Sequence, residues 1–184
     1  MTLAFKSTGE RYGIVAQTLH WLTAILVLWA YVVSPGGPEA RVYLPARDAE
    51  RVLHESLGLA ILILVALRLI WRQVDRRPEP VEMPKWMELG SALAHGLLYL
   101  LLFAVPLTAI FGAWAEAHPI VTYYTGAVPP PFAELHDLGL TVSALHKWLG
   151  DAIMWLAGFH AAAGLFHHFL LRDRVLTAML PRLK

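Results

Sequence analysis

Residues 145–169 read LHKWLGDAIMWLAGFHAAAGLFHHF. They form the centre of an apolar segment from about Ser143 to Leu171, long enough at about 1.5 Å per residue to cross a hydrocarbon core of roughly 30 Å. The decisive feature is the spacing of His146 and His160. Fourteen residues of α-helix turn through about 1400°, within about 40° of four full turns, and rise roughly 21 Å. Both imidazoles therefore lie on one side of one helix, one near each leaflet. An ionisable side chain within a bilayer marks a functional site by default.

Three more segments of this kind precede it. Gly13 to Val33 carries no Asp, Glu, Lys or Arg. A second segment runs from about Val52 to Trp71 around the uncharged SLGLAILILVAL, with Glu55 and Arg68 near its ends, where they reach the interface. A third runs from Leu89 to about Ala115, with a kink expected at Pro106. The chain has 184 residues, 57% hydrophobic and 16% charged, with a mean hydropathy of +0.52, too apolar for a soluble domain of this length. The expected fold is an all-α integral membrane four-helix bundle, a single domain over residues 1–184 with helices at approximately 13–33, 52–71, 89–115 and 143–171. The first apolar run is too long for a secretory signal and lacks a small-residue cleavage site, so it is expected to be retained.

The distribution of cations orients the bundle. Lys6, Arg11, Arg72, Arg76, Arg77, Lys85, Arg172, Arg174, Arg182 and Lys184 fall on the side of the termini, against Arg41, Arg47, Arg51 and Lys147 on the other. The positive-inside rule then places both termini in the cytoplasm. A net charge of +1 gives no support to nucleic-acid binding. The absence of cysteine excludes covalent haem attachment, cysteine-ligated iron–sulfur clusters and disulfides.

Bundles build cofactor sites from inward-facing side chains on neighbouring helices. His20 lies in the first two turns of segment one, in the same half of the membrane as His160. His54 lies in the first turn of segment two, level with His146. The depths pair His20 with His160 and His54 with His146, as axial ligands of two noncovalently held haem groups. Taken singly, each histidine also reads as an interfacial polar group or an interhelical hydrogen-bond donor. His95, in the first two turns of segment three, remains a rival at the depth of His160. Gly58 and Gly150, each one turn beyond a histidine, suit a porphyrin's bulk as well as close helix packing. His118 and His136 read as solvated residues of the long connection Glu116 to Ser143, whose PPP run favours an extended path.

The stretches RYGIVAQTLHWL, LHESLGLAILILVALRLIWR, AHGLLYLLLFAVPLTAIFG and LHKWLGDAIMWLAGFHAAAGLFHHFLLRDRVLTAMLP resemble the bacterial cytochrome b561 family of four-helix, dihaem, quinone-linked membrane cytochromes. The resemblance covers nearly the whole chain. It implies a multi-pass protein of the bacterial inner membrane, surrounded by lipid, with two haem b groups whose iron is held by His20, His54, His146 and His160. The compact form looks like the superoxide oxidase type, which implies superoxide as donor and ubiquinone as acceptor. Wider relatives are cytochrome subunits that relay electrons from a dehydrogenase or hydrogenase to quinone, so a redox partner protein is the alternative donor. A haem-free transporter or structural bundle is the third reading, disfavoured by the lack of repeats and paired discontinuous helices.

Iron with two histidine ligands has no open position, which suits outer-sphere electron transfer. The substrates then belong at the two ends. At the outer end, Arg51 and Lys147 can concentrate a small anion, or simply anchor helix ends in the interface. Glu134 and Asp137 oppose the attraction. At the inner end, His167 lies seven residues after His160 and about 20° out of phase with it, where it can hydrogen-bond a quinone carbonyl, with His95 beside it. His167 and His168 also read as a pair solvating the helix end. Trp71 and Trp86 read as interfacial belt residues or as the border of a quinone slot.

Overall fold

The computed structural model describes residues 4–36 and 42–181; Arg41, Arg182 and Lys184 of the cation count lie outside them. Four helices are long and apolar enough to span a membrane: α1 Ile14–Val32, α2 Asp48–Val74, α3 Lys85–Ala115 and α4 His136–Phe166, the last continued by a π turn at His167–Leu171. A short α5, Val175–Met179, follows. Between α3 and α4 lies a hairpin of β1 Ile120–Thr122 and β2 Gly126–Val128.

The helices owe little to caps, since none of the four has a side-chain cap hydrogen bond. Burying the backbone in lipid and packing the helices on one another hold them instead. Ala30, Leu57, Ile61, Val65, Leu102 and Ile153 form the buried core. Trp148 and Trp155 are 74% and 73% exposed, which bare water would penalise and acyl chains do not. The chain is thus a multi-pass membrane protein whose apolar groups face outward as well as inward. With four spans, both ends of the described chain emerge on one side, called here the terminus side; the hairpin marks the other.

α1 packs along α2, and α3 along α4. At the hairpin side α3 and α4 approach very closely. A Cβ on Gly112 would lie 2.7 Å from Ser143 Oγ, and one on Gly139 would lie 2.5 Å from Glu116 Cγ and 3.0 Å from Glu116 N. Ser143 Oγ also donates to Glu116 Oε1 across this contact. Tyr31 Oη of α1 donates to Asp151 Oδ1 of α4 at 2.9 Å.

The element boundaries correct the sequence reading. α2 begins at Asp48 rather than near Val52, because Asp48 and Glu50 suit the positive end of the helix dipole and Arg47 and Arg51 pair with their neighbours. α3 begins at Lys85, and it runs unbroken through the buried Pro106. α4 begins at His136, not near Ser143, so His136 is the first residue of a helix, 3.5 Å from Glu134, rather than a loop residue. The connection is correspondingly shorter. Its first half is an antiparallel hairpin, with Ile120 opposite Val128, Val121 opposite Ala127 and Thr122 opposite Gly126, and the PPP run that follows is not helical. Gly126 takes φ +66°, the left-handed conformation the turn requires.

On the terminus side three segments clasp one another. Ser7 N and Oγ bond the two oxygens of Asp75, which also accepts from Trp71 Nε1. Tyr12 N donates to Ala178 O, Trp21 Nε1 to Met179 O and an Arg11 nitrogen to Leu180 O. The clasp fixes α1 against the C-terminal segment just below His20.

Candidate cofactor site

Two pairs of imidazoles face each other between helices. His20 of α1 meets His160 of α4 with ring centres 6.2 Å apart, and His54 of α2 meets His146 of α4 at 6.1 Å. Imidazole nitrogens bind first-row metals at about 2.0 Å, and a ring nitrogen lies about 1.1 Å from the ring centre, so two imidazoles on opposite faces of one ion have centres about 6.2 Å apart. Both pairs have that spacing. His95 lies nearer His160, with centres 5.1 Å apart, closer than trans ligation of a shared ion allows.

Among the described residues no group of three or more His, Cys, Asp or Glu side chains gathers as a protein-only metal centre needs. Two facing imidazoles supply only axial positions, which is the donor set a tetradentate macrocycle completes. Space is present as well. A Cβ on Gly58 or on Gly150 would meet nothing within 4 Å, although both glycines are half-buried. Those glycines leave room beside His54 and His146; close helix packing is the business of Gly112 and Gly139.

The rings of the hairpin-side pair are held. His54 Nδ1 donates to Ala30 O at 2.8 Å and His146 Nδ1 donates to Val105 O at 2.8 Å, which leaves each Nε2 for a ligand. Val105 is the residue before Pro106, so the proline sits where a neighbouring helix uses the adjacent carbonyl. On the terminus side His20 Nδ1 is buried and has no hydrogen-bond partner among the described residues. His95 is exposed and bonds back to Ser91 O at 2.7 Å.

At the hairpin end, Arg51 is held by Asp48 at 2.8 Å and Glu55 at 3.1 Å, and its guanidinium lies over Tyr43. Its charge is committed to two carboxylates. Lys147 is exposed beside His146, and Asp137 sits in the first turn of α4. His118 is half-buried rather than solvated, its ring stacked on Tyr43 with centres 3.4 Å apart. The hairpin docks on the start of α2: Val121 N donates to Glu55 Oε2 at 2.5 Å and Tyr123 N to Ser56 Oγ at 3.0 Å. It thereby roofs the turn that carries His54. A covering role for this connection was open from the sequence; the hairpin that performs it was not read there, although the β-branched and aromatic run IVTYYTG carried its signal.

At the terminus end, His167 is buried, its Nδ1 2.5 Å from Asp173 Oδ2, while Asp173 Oδ1 accepts from Val175 N at the start of α5. His167 thus ties the π turn to the C-terminal segment. His168 is half-buried beside it, and Trp86 stands exposed at the start of α3, as an interfacial tryptophan does. An apolar groove of about 540 Å³, unforeseen in the sequence, runs along α1 past Gln17, Trp21 and Ile25 to Leu180 and Pro181.

Residues 11–182 match the family described as prokaryotic cytochrome b561. The chain is 30% identical to cytochrome b561 homolog 2 of Escherichia coli over 98% of its length and 96% of that protein's. It is 30% identical to the probable superoxide oxidase CybB of Yersinia pestis, covering 94% of this chain and 97% of that one. It is 34% identical to cytochrome b562 of Cereibacter sphaeroides, covering 90% and 92% respectively.

Proposed function

The chain belongs to the prokaryotic cytochrome b561 family of haem b membrane electron-transfer proteins in the bacterial inner membrane, and on that premise we propose that it is a single-domain, dihaem oxidoreductase passing electrons from superoxide to ubiquinone. The terminus side is then cytoplasmic and the hairpin side external, a sense that the cation count supports. His20 and His160 hold the inner haem and His54 and His146 the outer. The observation that carries this reading is the pair of ring separations, 6.2 and 6.1 Å. Held by these four histidines, the groups would supply one-electron redox chemistry, which suits outer-sphere transfer.

The residues of the chain govern access. Hydrogen bonds from Nδ1 fix the rings of His54 and His146 against the backbone of α1 and α3. The hairpin covers the part of α2 next to His54, at Glu55 and Ser56, which suits a small donor. Lys147 supplies the local positive potential for an anion; Arg51 acts as a clamp on Asp48 and Glu55. The named activity of the Yersinia relative supports superoxide as that donor. At the inner end, His95 is exposed next to the His160 ring; its Nδ1 donates to Ser91 O, so it would offer Nε2–H to a quinone carbonyl as an imidazolium. His167 is the second residue near that end, held to Asp173.

The deciding experiment exposes the purified protein, without oxygen, to a controlled superoxide flux and follows the haem α-band with and without a ubiquinone analogue. Prompt reduction followed by reoxidation on adding quinone is the expected result. Haem that ignores superoxide would overturn this donor. It would favour the second reading, a cytochrome fed by a partner subunit, for which Tyr123 and Tyr124, each 66% exposed at the hairpin tip, offer an aromatic docking point.

A further inference from the structure

Arg68 follows His54 on α2 by fourteen residues, the interval that separates His146 from His160 on α4. It therefore shares the face of His54, roughly 21 Å further along the helix. α2 presents a histidine to the outer site and an arginine to the inner one. Arg68 is half-buried and within electrostatic reach of both His20 and His160. Its guanidinium carbon lies 5.3 Å from the centre of the Tyr99 ring of α3, and that of Arg72, one turn on, lies 5.5 Å from the same ring.

Among the described residues neither guanidinium has a carboxylate within 4.0 Å, in contrast to Arg47 and Arg51 at the other end of the helix. Two like charges gathered on one aromatic ring, the first of them inside a membrane span, are costly without an anion. The tyrosine face attracts each cation but neutralises neither. Asp75, the carboxylate closest in sequence, is occupied by Ser7 and Trp71.

We infer that Arg68 and Arg72 bind the two propionate carboxylates of the inner haem and thereby set its position and potential. The inference rests on the assignment of His20 and His160 above. A haem b propionate pair is a dianion on one edge of a flat ring, and two arginines one helical turn apart, about 6 Å, match two carboxylates on a common edge. The shared chemistry is an oxyanion; the other source of one at this depth is a lipid phosphate.

Purified wild-type, Arg68→Gln, Arg72→Gln, Arg68→Lys and His20→Ala proteins are compared by haem counting, potentiometric titration and transfer of haem to an excess of apomyoglobin. His20→Ala identifies the inner haem as the one it removes. Arg68→Gln is expected to retain both haems, to release the inner one at least tenfold faster, and to lower its midpoint by a tenfold change in the reduction equilibrium, about 59 mV for one electron. Removing a nearby cation favours the more positive ferric state, so the sign is downward. Arg68→Lys should restore much of the potential and less of the retention. If Arg68→Gln cannot be purified, Arg72→Gln, at the helix end, carries the same readouts. Unchanged release and midpoints, an equal shift of both haems, or loss of a bound anionic lipid by native mass spectrometry with the haems unaltered would each overturn the inference. If His20→Ala keeps both haems, it is the ligand assignment that fails, whatever the arginine variants do.

Discussion

At the scale of the residue, the four histidines differ in support as well as in position. His54 and His146 have an Nδ1 fixed by a carbonyl, whereas His20 has none. Replacing His54 or His146 by Ala should remove one and the same haem, and replacing His20 or His160 the other; low-temperature α-band spectra and electron paramagnetic resonance distinguish the two. His95→Ala should keep both and slow quinone reduction, while His167→Ala leaves quinone kinetics near normal. Loss of a haem in His95→Ala with retention in His20→Ala would reverse the assignment. The two half-buried glycines give an independent check. Gly150→Leu puts a side chain into space where a Cβ meets nothing within 4 Å. A porphyrin in that space predicts loss of the outer haem alone; a gap filled only by mobile lipid predicts full haem content. Depth along the spans suggested these pairs from sequence. It could not separate His20 from His95, because both lie at one depth and only the ring separations, 6.2 against 5.1 Å, distinguish them.

At the scale of the element, close contact and open space are divided between glycines that look alike in sequence. Gly139 of α4 lies against the backbone of Glu116, so Gly139→Val should push α3 and α4 apart at the hairpin side, at a cost of about 1–3 kcal/mol from overpacking. A thermal melt of the purified protein measures it, and a melting temperature equal to wild type would refute the close approach. The spans were legible because lipid demands long uncharged runs, and the absence of charges from 13 to 33 needs no partner to be read. Their ends were not. Charges at 48, 50, 51 and 55 look like a helix boundary until their mutual pairing is seen. The start of α4 was hidden by Gly139, Thr141 and Val142, weak helix formers held helical by packing on α3. The hairpin was missed because the adjacent PPP run dominated the reading, while its own strands are only three residues each and depend on docking to Glu55 and Ser56.

At the scale of the whole molecule, the bundle is asymmetric along the membrane normal, and the asymmetry has a direction. On the hairpin side both proposed ligands, His54 and His146, donate from Nδ1 to a backbone carbonyl, which would make each imidazole a stronger donor to iron and favour the ferric state. On the terminus side His20 lacks that bond, and the arginine pair Arg68 and Arg72, inferred above to offset the propionate charge, lies on the same side. Both differences raise the inner potential relative to the outer. The inner haem is therefore expected to have the higher midpoint, by a tenfold or greater equilibrium constant, about 59 mV or more. Potentiometric titration of the wild type and of His20→Ala, which retains only the outer haem, assigns the two waves. Electrons entering beneath the hairpin would then move downhill toward the side of the termini, where the proposed quinone acceptor would be reduced. A reporter fused after the C-terminus should be active only in the cytoplasm, which fixes the inward sense of that flow. If the outer haem instead has the higher midpoint, neither the histidine bonds nor the arginine pair controls the potentials, and the molecule has no built-in preference for moving electrons inward.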